Sequence, residues 1–262
     1  MAITPSHSTP HPIVAIVQAR MGSSRLPGKV LADVAGRSML ARVCRRVARA
    51  ATVDRLVVAA SSAAADRAIV DECRALNVDV FRGSEDDVLA RYAAAADWTN
   101  AAAVVRVTAD CPLIDPAVID LVVEGLIGSG ADYASNTLRR SWPRGLDCEA
   151  VRRETLCQAC DEATAPHQRA HVTPFIYENA GQFRLHSVEA SADAAGDNMP
   201  VALAEMRWTV DYPEDLEMVR EVYSHLGPDN PFGWISVLAL LGRQPWIGEL
   251  NRGRRQKPIS EC

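Results

Sequence analysis

The run Ile13-Val14-Ala15-Ile16-Val17-Gln18-Ala19-Arg20-Met21-Gly22-Ser23-Ser24-Arg25-Leu26-Pro27-Gly28-Lys29-Val30-Leu31 sets the architecture of this chain. Its first five residues are apolar without a break, the pattern of a parallel strand buried on both faces. The strand empties into a loop with two glycines, two serines and three cations, Arg20, Arg25 and Lys29. Small residues let backbone N–H groups come close to a polyanion, and the cations neutralise its charge. A triphosphate at the carboxyl end of a first strand suits this composition. The loop matches neither Gly-x-Gly-x-x-Gly nor Gly-x-x-x-x-Gly-Lys-Ser/Thr, which disfavours a dinucleotide site and a Walker loop.

A chain of 262 residues can bury the core of one large α/β domain with a small appendage. A net charge of −5 argues against a general nucleic-acid or membrane-surface binder, while leaving room for a local basic cleft. No apolar run approaches the roughly 18–20 residues of a membrane span. Met1 to Pro12 lacks an apolar core and reads as a flexible lead-in, not a signal peptide. Seven cysteines, odd in number and irregular in spacing, fit reduced thiols in the cytoplasm better than a disulfide framework.

Beyond the loop, strands and helices alternate at short intervals. Ser38 caps a helical pattern through Met39, Leu40, Val43 and Val47. Arg55–Ser61 reads as a strand, followed by a helix with Ile69, Val70, Cys73 and Leu76 on one face, and by a short strand at 78–81. Ser84 and Asp87 are spaced as a capping box for a helix reaching Trp98. Ala103–Thr108 is a buried strand ending in Ala109-Asp110-Cys111-Pro112, and Asp115-Pro116 starts the next helix. The alternation predicts a doubly wound, parallel sheet with helices on both faces.

After Gly130 the rhythm breaks. Strands are expected at 131–136, 146–151 and 183–189, and helices at 154–163 and 168–178. This middle region, 131–200, could form a substrate lid or a dimer arm, and 190–200 reads as a mobile loop. Met206–Val210 reads as a returning strand that ends at Asp211, before helices to Leu226 and from Phe232 to Leu241. The expected organisation is a lead-in at 1–12, one domain over 13–250 and a polar tail at 251–262.

Three strand ends carry polar residues: the Arg20–Lys29 loop, Asp110 and Asp211. In an open parallel sheet such ends face one crevice. Two carboxylates beside a triphosphate make a natural Mg²⁺ site, because this ion keeps waters and takes few protein ligands. Such an ion offsets phosphate charge during attack on the α-phosphorus, and Lys29 and Arg25 would stabilise the charge that builds there. Each residue also has a plainer reading. Asp211 could cap a helix, Asp110 could be a turn residue, and Ser84 is a helix cap before it is a nucleotide contact. Asp147 and Glu149 alternate on a strand, which puts both carboxylates on one face. Cys157-x-x-Cys160 with His167 and His171 imitates a zinc pattern, yet the gap of six residues is short against roughly 12–15 in a zinc finger, and a core helix is the preferred reading.

The opening motif, Val17 to Leu31, resembles that of the CMP-Kdo and CMP-sialic-acid synthetases. It is most similar to the branch named for spore coat polysaccharide biosynthesis protein F. The resemblance recurs along most of the chain: at 83–92 (Gly-Ser-Glu-Asp-Asp-Val-Leu-Ala-Arg-Tyr), at 106–115 (Arg-Val-Thr-Ala-Asp-Cys-Pro-Leu-Ile-Asp), at 133–136 (Tyr-Ala-Ser-Asn), at 143–149 (Pro-Arg-Gly-Leu-Asp-Cys-Glu), at 171–174 (His-Val-Thr-Pro) and at 208–215 (Trp-Thr-Val-Asp-Tyr-Pro-Glu-Asp). It implies a GT-A-like, Rossmann-like nucleotidyltransferase fold, CTP and Mg²⁺, and a homodimer. By motif position Arg20, Ser23, Arg25 and Lys29 hold the triphosphate, and Asp110 and Asp211 the metal. Gln18, Ala19, Met21, Gly22, Ser24, Arg82, Ser84 and Thr108 complete the expected nucleotide site. Asn136, Arg144, Asp147, Glu149 and His171 are expected to face the acceptor. One departure stands out: Ala170 precedes His171 where the branch usually carries Glu.

The leading expectation is therefore a cytidylyltransferase that activates a sugar acid or related small acid with release of pyrophosphate, with no nucleic-acid or membrane partner. Two others are a glycosyltransferase of the same fold, which normally needs an Asp-x-Asp motif absent near Asp110, and a non-catalytic assembly protein of a polysaccharide or coat pathway.

Overall fold

The computed structural model describes residues 11–191 and 203–254. Its centre is a seven-stranded sheet made of β1 (Ile13–Gln18), β4 (Arg55–Ser61), β5 (Asp79–Gly83), β6 (Ala103–Thr108), β7 (Tyr133–Ser135), β8 (Glu149–Arg152) and β9 (Leu185–Ser187). The order is β5-β4-β1-β6-β8-β7-β9, and β2 (Asp33–Val34) and β3 (Arg37–Ser38) form a separate ribbon. β5, β4, β1 and β6 run parallel, as the alternation predicts. β8 enters antiparallel between β6 and β7, and β9 pairs parallel with β7. The middle region thus extends the main sheet, which is mostly parallel and not purely so.

The unbroken apolar run of β1 is explained by its two faces. Ile13, Ala15 and Val17 point into a core with α1 (Met39–Val47), α2 (Arg67–Ala75) and α4 (Pro116–Ser129). Val14 and Ile16 point into a second core with α3 (Val88–Trp98), α5 (Arg153–Glu162) and α7 (Pro174–Glu178). A third cluster joins Trp142, Leu146 and Trp208 to α8 (Pro213–Leu226), α9 (Trp234–Arg243) and α10 (Pro245–Glu249). Ser38 caps α1 by accepting from Ala41 N–H, and Asp115 caps α4 by accepting from Ala117 N–H.

Several local expectations are corrected. The cap of α3 is Asp87, which accepts from Ala90 N–H, while Ser84 Oγ accepts from Asp87 N–H one turn earlier. The helix expected at 168–178 is two, α6 (Pro166–His171) and α7, because Val172 takes a left-handed φ of 77° and Pro174 cannot continue a helix. Residues 206–210 form no sheet strand. They cross the loop after β6, with Val210 N–H donating to the Asp110 carbonyl and one isolated bridge pairing Arg207 with Arg144. Gly145 permits that crossing: its φ is 102°, and a Cβ there would lie 2.5 Å from the Trp208 carbonyl carbon. Asn251, read as the start of the polar tail, is buried. The loop expected at 190–200 falls almost wholly outside the described residues, as do the lead-in up to residue 10 and the tail from 255.

The zinc-like pattern does not assemble. Among the described residues no group of three or more His, Cys, Asp or Glu side chains could hold a metal. His167 bonds Glu178, and Cys160 Sγ accepts from Arg169. Thr155, Leu156 and Ala159, not the cysteines, are the buried residues of α5.

Candidate active site

The loop after β1 is folded by its own backbone. Gly28 N–H and Ser23 N–H both donate to the Met21 carbonyl, and Ser23 Oγ accepts from Leu26 N–H. Asp66 anchors the loop from outside by accepting from Met21 N–H at 2.7 Å and from Ser61 N–H at 2.9 Å. Gly28 adopts φ 71° and hands the chain to a 3-10 turn over Lys29–Leu31, which turns Lys29 back beneath the loop.

Lys29 is 8% exposed. Its Nζ donates to Asp110 Oδ2 at 2.9 Å, to Asp211 Oδ1 at 2.9 Å and to the Val210 carbonyl at 2.7 Å. Arg25 Nη2 lies 3.1 Å from the same Asp211 oxygen. The other Asp211 oxygen accepts from Arg207 Nη2 at 2.8 Å. Arg207 forks onto Asp215, which is fully enclosed and also accepts from the N–H groups of Asp211 and Tyr212. Asn251 closes the support by donating to Asp215 and to the Arg207 carbonyl, each at 2.9 Å.

Burial raises the Asp110 carboxyl, but the Lys29 charge and bonds from Thr108 Oγ1, at 2.5 Å, and from Lys29 outweigh it and hold the group down to about 2. Burial pulls the Lys29 ammonium down; Asp110 and Asp211 more than offset that and leave it above its ordinary 10.5. At neutral pH Asp110 and Lys29 therefore face each other as a carboxylate and an ammonium.

The cleft over this cluster brings together nine of the expected residues: Gln18, Arg20, Ser23, Ser24, Arg25, Lys29, Thr108, Asp110 and Asp211. Ala19, Met21 and Gly22 belong to the same loop without lining that cleft, and Gly22 faces Glu85 of the 83–87 turn. Arg82 is used elsewhere, donating to the Ser61 and Ala63 carbonyls. On the expected acceptor side the picture differs. Asn136 is enclosed, donating to the Leu146 carbonyl and accepting from Cys148 N–H. Asp147 and Glu149 do not present a joint pair. Asp147 precedes β8 and is held by both terminal nitrogens of Arg140, whereas Glu149 is buried against Arg106, Tyr133 and Thr173. Arg144 is half-buried. His171 keeps its imidazole below the ordinary 6.5, through burial first and then Arg106.

Sequence reasoning missed Arg207, Asp215, Asn251 and Asp66. Arg207, Asp211 and Asp215 recur every four residues, a helical spacing, but α8 starts only at Pro213. The charge alternation was the available signal.

The sequence matches the cytidylyltransferase family over residues 14–227. The chain belongs to that family. It is 33% identical over 249 residues to the uncharacterized protein MJ1063 of Methanocaldococcus jannaschii, covering 95% of this chain and 98% of that one. It is 30% identical to the spore coat polysaccharide biosynthesis protein SpsF of Bacillus subtilis, covering 89% of this chain and 95% of that one. The solved structure of a cytidylyltransferase from Leptospira borgpetersenii superposes with a TM-score of 0.82 at 26% identity, over 94% of this chain and 99% of that one. The cytidylyltransferase described here is thus a nucleotidyltransferase, with the nucleotidyltransferase fold. Among its described residues no helix is long and apolar enough to cross a membrane.

Proposed function

We propose that this chain transfers CMP from CTP to a sugar acid or related small acid in cell-surface polysaccharide biosynthesis, with Mg²⁺ held by Asp110 and Asp211. The observation that carries this reading is the convergence of both carboxylates on Lys29 Nζ at 2.9 Å, directly under the cationic loop. Both donors are oxygens already turned toward one positive charge, as a hard divalent ion requires. When bound, Mg²⁺ would neutralise charge on the phosphates.

The chain's own residues do the rest. Arg20, Arg25, Ser23 and Ser24 hold the triphosphate. Lys29 stays protonated and stabilises charge on the departing pyrophosphate. An acceptor oxyanion, its proton already lost to solvent, bonds to the α-phosphorus, the bond from that phosphorus to the oxygen bridging to the β-phosphorus breaks, and pyrophosphate leaves with the electron pair. The acceptor supplies the nucleophile, so no covalent enzyme intermediate is needed. A cytoplasmic homodimer completes the proposal, in keeping with a CTP-consuming step and with the sheet extension by β8, β7 and β9.

The test is pyrophosphate release from CTP and Mg²⁺ with a panel of sugar acids. Release with one class of acceptor, lost in Asp110→Asn, supports the reading. Preferential binding of UDP- or GDP-sugars over CTP would replace it with glycosyl transfer, and binding of neither would make the chain a scaffold.

A further inference from the structure

Gln18 closes β1 inside the cleft, and its cross-strand partner is Thr108 of β6, two residues before Asp110. Its Oε1 accepts from Arg106 Nη2 at 3.3 Å. A guanidinium carries only donors, so this contact fixes which end of the carboxamide it meets. The oxygen turns to Arg106 and the N–H2 turns away from it.

Arg106 is itself held. It stands directly opposite Glu149 on the antiparallel β6–β8 ladder, and its Nη1 donates to Glu149 Oε2. Glu149 is 6% exposed, and its other oxygen accepts from the Tyr133 hydroxyl at 2.5 Å and the Thr173 hydroxyl at 2.6 Å. With three donors inside the chain, this carboxylate is committed to holding Arg106 and does not reach for an acceptor sugar.

We propose that Arg106 and Glu149 are positioning residues that lock the Gln18 carboxamide with its N–H2 toward the cleft, where it donates to a non-bridging oxygen of the phosphoryl group being transferred. The inference rests on the nucleotidyl-transfer reading above. Gln18 sits at the junction that reading requires: the phosphate loop begins at the next residue, and Asp110 follows the strand partner. The Thr108 hydroxyl beside it is already given to Asp110. A neutral amide held in advance costs no reorganisation as charge grows on the phosphoryl oxygens. A purely structural ion pair tying β6 to β8 and α7 would affect stability alone.

Calorimetric titration with Mg·CTP, and separately with Mg·pyrophosphate, distinguishes the two. Gln18→Leu leaves the ion pair in place and should weaken Mg·CTP by about tenfold or more, the loss of one hydrogen bond to a charged group, while Mg·pyrophosphate binding stays as in the wild type. Arg106→Met with Glu149→Gln removes both charges and keeps an amide oxygen for Tyr133 and Thr173. It should lose most of the same factor although Gln18 is present, and adding Gln18→Leu to it should cost little more. Should that pair fail to fold, Arg106→Lys keeps the buried charges paired while withdrawing the fork from Gln18, and the same selective loss is expected. Equal loss for both ligands, additive losses, or full Mg·CTP affinity in Gln18→Leu would overturn the relay. A wild type that binds no Mg·CTP overturns the transfer reading and the relay with it; a wild type that binds, with variants binding equally, overturns the relay alone.

Discussion

Asp110 and Asp211 meet at a single ammonium group, each with a carboxylate oxygen 2.9 Å from Lys29 Nζ. One stands at the start of the loop after β6 and the other precedes α8, so the cleft forms only when the two halves of the chain fold together. The arrangement makes Lys29 the counter-charge of both carboxylates, and on the proposed function its charge also faces the nucleotide phosphates. Lys29→Met should leave two carboxylates without their ammonium, reduce pyrophosphate release by at least about 100-fold and lower the thermal midpoint. Stopped assays beside calorimetric melting check both effects.

The acid limb of stability follows from Asp110. Its folded carboxyl titrates near about 2 against 3.8 in a free side chain. A depressed carboxylate stabilises fully above its unfolded value and loses that contribution as pH falls through its folded value. Stability should therefore decline between about pH 4 and pH 2, by about 2 kcal/mol from this group. Asp110→Asn should be less stable at pH 7 and show a shallower acid limb in urea titrations run across that range.

Arg207 predicts a sharper stability effect. Its guanidinium joins Asp211 to the enclosed Asp215. Arg207→Met strands the Asp215 carboxylate in the interior and should cost about 3–5 kcal/mol. Arg207→Lys restores the charge without the fork and should recover part of the stability while leaving Asp211 poorly aimed. Denaturant midpoints for both variants, with turnover for the second, separate the two consequences.

Gly145→Ala tests the crossing that brings Asp211 to the cleft. The position combines φ 102° with backbone atoms of Trp208 and Thr209 within 2.7 Å of any added Cβ. Strain of about 1–3 kcal/mol is expected from the conformation alone, with displacement of 207–211 in addition. The variant should melt lower and bind CTP more weakly than the wild type.

The parallel half of the fold was legible because β1, β4 and β6 are largely apolar on both faces and each leads through a turn to a helix, with side-chain caps on α1 and α4. The same holds for the loop after β1, whose small residues and cations are legible in its composition and which does line the cleft. What was hidden depends on pairing at a distance. Nothing local says that Glu149 will oppose Arg106, that Asn136 will be sealed between Leu146 and Cys148, or that Arg207 will turn toward Asp215. Residues 206–210 have strand-like composition but spend their hydrogen bonds on the 110 and 144 loops, so propensity pointed to the wrong partner.

Anomalous diffraction from crystals grown with CTP and Mn²⁺ tests the account most directly. It predicts a manganese peak beside the Asp110 and Asp211 carboxylates, with the triphosphate lying along residues 20–29. A nucleotide bound elsewhere, or a metal that touches neither aspartate, would contradict it.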